Sequence, residues 1–319
     1  MTSAPPVFEP RALEKIQDRF LPTAWIFTLA VSQLPDILLD ILFNIHPAPW
    51  LIWIKLVVLL GGFLLTFTWQ AIDRLRLYLL ALLVLLGLEV IFGWIGASGW
   101  WQSIFPSGGS FALSMLGTQI IRLCVALIMI FALLLVRGWL DNFFITRGDL
   151  AAPAEAVSWL GIKAGASWTT VGANFALFIS LGTLAFLLIA AFGNPEPALR
   201  PTAQIFLRTL PLLPLVLILA AMNAFSEEVS YRAALLSNLF QVVDEKAALL
   251  ITAAFFGIGH YYGVPYGIVG VLMAGFLGWL LGKCMLETRG LFWPWFIHFL
   301  QDVLIFFFMA LGAVVAGGG

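Results

Sequence analysis

The chain has 319 residues, of which 62% are hydrophobic and only 10% charged, and its mean hydropathy is +1.02. Repeated apolar stretches of about 20 residues mark membrane-spanning helices, so an ordinary soluble domain is excluded. A net charge of -1 and a pI near 6.3 supply no basic field, which excludes nucleic acid as a partner.

The polar first 20 residues carry Arg11, Lys15 and Arg19. The apolar stretch after them contains Asp36 and Asp40 and is too long for the core of a signal peptide, so it is read as retained. Apolar runs follow at 22–45, 51–69, 77–96, 111–136, 172–192, 205–225, 247–262, 264–282 and 291–312. They predict an all-α fold, a polytopic integral membrane helix bundle of eight or nine transmembrane helices. The count turns on whether 205–225 continues into the polar motif after it as one long helix. It turns also on the short runs either side of Gly263-Val264-Pro265.

In the nine-span arrangement Lys and Arg fall on alternate loops, which places the N-terminus in the cytoplasm and the C-terminus outside. The plasma membrane is the default location. Tryptophans near run ends, such as Trp50, Trp69, Trp100 and Trp139, fit interfacial belts. Residues 137–168 are of mixed polarity, with Asp141, Arg147, Asp149, Glu155 and Lys163 among Trp159, Ile162 and Trp168, and read as a surface helix or a plain loop. They separate N-terminal helices (1–136) from a C-terminal core (169–319). Lys55, Glu89, Gln119 and Arg122 are scattered, and snorkelling or helix–helix hydrogen bonds account for them. Cys124 and Cys284 sit in or beside apolar runs as small buried hydrophobes.

The chemistry concentrates in the C-terminal half. Ionisable groups at membrane depth cost roughly 2.5 to 3.5 kcal/mol each, so they face polar cavities and need partners. On a helix Glu228 and Arg232 share a face, while Glu227 is turned about 100° away and is left over. His298 and Asp302 also share a face, and His260 ends Phe256-Gly-Ile-Gly-His260, whose small residues let another helix come close. Any one of these has a bland reading as a satisfied interior residue. Together, on three apolar helices, they need one another for solvation.

Three motifs carry a resemblance: Glu227-Glu228-Val-Ser-Tyr-Arg232, Phe256-Gly-Ile-Gly-His260 and His298-Phe-Leu-Gln-Asp302. They resemble the CAAX prenyl protease and bacteriocin-processing (CPBP) intramembrane proteases, which include the Ras-converting enzyme, over about residues 200–312. The resemblance implies a membrane-embedded endopeptidase acting on a membrane-associated or lipidated peptide, with 169–319 as its catalytic core. It assigns Glu227 and His260 to water activation, His298 and Asp302 to the oxyanion side, and Glu228 with Arg232 to structural support. The pattern allows asparagine or aspartate at position 302. An ionised aspartate only accepts hydrogen bonds, so Asp302 is either protonated, or orients His298, or belongs to a metal site. The expected chemistry uses no cofactor; the alternative is zinc held by Glu227, His260, His298 and Asp302. A non-catalytic scaffold or immunity-type protein binding a peptide is the competing class. Membrane lipid and a peptide or lipidated protein are the expected partners.

Overall fold

The computed structural model describes residues 10–45, 48–137, 139–193, 196 and 200–317; the side chains of residues 10–18, 137 and 141, among them Arg11, Lys15 and Asp141, lie outside the description. In hydrocarbon every backbone N–H and C=O must be satisfied within its own segment, and each apolar run accordingly coils into a helix. In order these are α1 (Pro10–Val31), α2 (Leu34–Phe43), α3 (Leu51–Leu65), α4 (Arg76–Ala97), α5 (Gly99–Ile104) and α6 (Phe111–Arg137). There follow α7 (Trp168–Phe192), α8 (Ala203–Thr209), α9 (Leu213–Glu227), a π-helical stretch (Glu228–Leu236), α10 (Ser237–Leu239), α11 (Glu245–Ile258), α12 (Ile268–Thr288) and α13 (Phe292–Val315).

Among the described residues six helices are long and apolar enough to cross a membrane, or seven if α1 and α2, bent by 57°, form one broken span. The expected count of eight or nine is not confirmed. All nine apolar runs are helical, but α3 has 15 residues and α11 has 14. At 1.5 Å per residue each covers about 22 Å, short of a hydrocarbon core about 30 Å thick. The run at 205–225 and the motif after it join into one span of 37 residues, Ala203–Leu239.

The chain divides into two compact units. The first comprises Met1–Gly87 and Ala234–Gly282. In it Gly62 of α3 leaves room for the ring of Phe27, and the hydroxyls of Thr28 and Tyr78 lie 2.7 Å apart in the apolar interior. Asp36 pairs with Lys55, and Asp40 accepts from the Tyr262 hydroxyl at 3.2 Å. Lys55 thus has an interior partner rather than an interfacial one. Gly257 of α11 meets α12 backbone to backbone: a Cβ there would lie 2.6 Å from the Val271 carbonyl oxygen and 2.9 Å from Gly275 Cα. This is the close helix approach expected of the small residues before His260.

The second unit, Leu88–Ala233 with Lys283–Gly319, holds α9 between α6 and α13, and α13 also packs on α7 and α8. Phe111, Val216, Leu219, Ala220, Phe306 and Ala310 form its apolar centre. Lipid-facing positions are correspondingly apolar, as at Phe131, Phe178 and Ile189. The 137–168 connector is neither a surface helix nor a plain loop. It folds into an antiparallel hairpin of β1 (Pro153–Ala154) and β2 (Ala166–Ser167), with one 3-10 turn before it and another between its strands. Glu287 pins it, accepting from Trp168 Nε1 at 2.6 Å and pairing with Lys283. Gly148 at φ +73° lies so close to Gly290 that neither position has room for a side chain.

Candidate active site in the second unit

Helix α9 changes from α to π geometry between Glu227 and Glu228, so the two adjacent acids straddle the junction. Such π segments are frequent at functional sites. Each acid has its own set of partners. Glu228 is fully buried and accepts from Arg232 Nη1 at 3.0 Å, one turn on, and from His298 Nδ1 at 2.7 Å, on α13. Because a carboxylate only accepts, Nδ1 carries the hydrogen, and the ring is held with Nε2 turned the other way. There Nε2 lies 3.6 Å from Glu227 Oε2 and 3.7 Å from Asp302 Oδ2. Those gaps exceed a direct hydrogen bond, and Nε2 faces both acids.

Glu227 is not a spare acid. Its Oε1 accepts from Arg122 Nη1 at 2.6 Å and from Asn223 Nδ2 at 3.2 Å. Asn223, one turn earlier on α9, also donates to Asp302 Oδ2 at 3.0 Å, and its Oδ1 accepts from Arg122 at 2.6 Å. One amide thus ties both acids together. Asp302 stands in the protein interior bound to Asn223, while the group fixing the His298 ring is Glu228.

Arg122 and Asn223 are the site residues that sequence reasoning missed. Arg122 lies about 17 Å along the Phe111–Val136 span from its start and about 21 Å from its end, at 1.5 Å per residue. Its guanidinium hydrogen-bonds Asn223 and Glu227 on α9, so helix–helix hydrogen bonding rather than snorkelling accounts for it. That depth was the available signal. Asn223 had only its spacing of four from Glu227, which is weak without knowledge of Asp302.

Three carboxylates (Glu227, Glu228, Asp302) face two guanidinium groups (Arg122, Arg232) and one imidazole (His298). The cluster is neutral when it holds one extra proton, and neutrality lowers the cost of burying it. His260 belongs to the first unit. Its Nδ1 bonds the Phe256 carbonyl at 2.7 Å, and its ring packs on that of Phe256. A carbonyl oxygen only accepts, so Nδ1–H is the donor and Nε2 carries the lone pair in the neutral ring. Among the described residues no group of three or more His, Cys, Asp or Glu side chains is arranged to hold a metal ion.

Residues 209–304, under a third of the chain, match the family model for Type II CAAX prenyl endopeptidase Rce1-like. The match includes all three motifs. Membrane proteolysis is the activity class it implies. Neither a curated protein nor a solved structure matches the chain.

Proposed function

We propose that this chain, Rce1-like and thus of the CPBP family over residues 209–304, is an intramembrane endopeptidase that hydrolyses a peptide bond of a membrane-associated or lipidated substrate. The observation that carries the reading is that Glu227 and Asp302 each approach His298 Nε2 within 4 Å in an apolar helical unit, on the stretch that matches the family. Glu227, with His260 Nε2 as its partner base, takes a proton from water. The water oxygen attacks the carbonyl carbon, and the proton passes to the departing amine as the C–N bond breaks. His298 and Asp302 serve the oxyanion side, with the extra proton of the cluster as the hydrogen-bond donor. That proton answers the difficulty of an aspartate at position 302.

The chemistry needs no metal on this reading. The protein sits in the plasma membrane with its N-terminus in the cytoplasm. Cleavage of a peptide library by purified protein in lipid vesicles tests the assignment. Loss of cleavage in both Glu227→Ala and His260→Ala is expected, and wild-type rates in either would overturn it.

A further inference from the structure

Arg122 commits only part of its guanidinium to Glu227 and Asn223. Nη1 makes both bonds, and among the described residues Nε and Nη2 make none. The side chain is 47% exposed, whereas Glu227 beside it is 13% exposed. This open edge is the fork that grips carboxylates with two parallel hydrogen bonds. At its depth in α6 the open edge adjoins Glu227, so a polar group entering there meets two N–H donors. Lipid phosphates lie about 15 Å from the bilayer centre, beyond a hydrocarbon core about 30 Å thick, and do not reach that depth. A carboxylate on a peptide strand entering the site does.

We propose that Arg122 is a substrate receptor, whose Nε–Nη2 edge binds a carboxylate of the peptide to be cleaved and so sets the scissile bond against Glu227. The inference rests on the proteolytic reading for its consequence but not for the binding event. The carboxylate is either the peptide's C-terminus or an acidic side chain, and the recognising chemistry is the same.

Binding is measured with full-length Glu227→Gln protein in lipid vesicles, a variant that leaves Arg122 an oxygen acceptor. Two peptide pairs are used: free C-terminal acid against C-terminal amide, and Asp against Asn near the cleaved bond. At least tenfold tighter binding of the acid member of one pair is expected, and that pair identifies the source of the carboxylate. Adding Arg122→Gln should bring the ratio to about one, while Arg122→Lys keeps a reduced preference. Equal binding of both members of both pairs, or a preference that survives Arg122→Gln, would overturn the proposal. If Arg122→Gln fails to fold, the acid preference of the Glu227→Gln protein and its loss on titration with free acetate decide the question. A wild-type protein that binds acid peptides selectively but cleaves none refutes the protease reading and leaves the receptor standing.

Discussion

At the scale of single residues the two adjacent glutamates differ in what their loss costs. Glu228 is buried with Arg232 and His298, so Glu228→Gln strands a buried guanidinium. A loss of about 3 to 5 kcal/mol is expected, read as a lowered unfolding midpoint in detergent. Glu227→Gln leaves behind the half-exposed Arg122 and should cost far less stability while removing cleavage. Asp302→Asn tests the proton argument. A permanent amide donor replaces one that the wild-type site loses as pH rises and the extra proton departs. Cleavage is expected to stay within about tenfold of wild type at neutral pH, with a weaker alkaline decline in the rate–pH profile; a much larger loss at neutral pH would show that Asp302 acts as a carboxylate. Asn223→Asp sets a third carboxylate against Glu227 and Asp302, and a rate loss of about 100-fold is expected, the scale of removing one well-placed donor.

At the scale of elements, close backbone approach separates glycines that look alike in sequence. A side chain at Gly257 would strike the backbone of Val271 and Gly275, whereas Gly61 in α3 has nothing within 4 Å. Gly257→Val should therefore destabilise by about 1 to 3 kcal/mol through overpacking. Gly61→Ala should be neutral or stabilising by up to about 1 kcal/mol from helix propensity. Unfolding midpoints of the two variants in one detergent provide the comparison. The π stretch at Glu228–Leu236 belongs to the same scale. It begins at the junction of the two acids, where Glu227 turns to Arg122 and Glu228 to Arg232 and His298.

At the scale of the whole molecule the question is whether the polar interior works as a catalyst or only as a binding surface. Undiminished cleavage after chelation and buffer exchange is the expected result, and activity lost on chelation and restored by zinc would reverse the metal-free reading. Restoration of a null strain by Glu227→Gln would favour the scaffold or immunity-type role, because binding survives loss of the base. Accumulation of uncleaved membrane precursors in Glu227→Ala cells is the outcome expected of a protease, and the precursors would identify the substrate.

Composition and periodicity alone established a helical membrane protein, because stretches of about 20 apolar residues have no other stable use. Spacings of four placed Glu228 with Arg232 and Asp302 on the face of His298, since one helical turn is local and leaves its mark in sequence. The span count was not legible in the same way, because it depends on where each helix ends, and α3 stops at 15 residues and α11 at 14. Nor were the contacts that complete the cluster: Glu228 to His298, Asn223 to Asp302 and Arg122 to Glu227 join residues 70, 79 and 105 positions apart. No local period encodes such pairs. They exist because α6, α9 and α13 pack side by side, and only the tertiary structure decided that the acid left over in the sequence has an arginine and an asparagine as its partners.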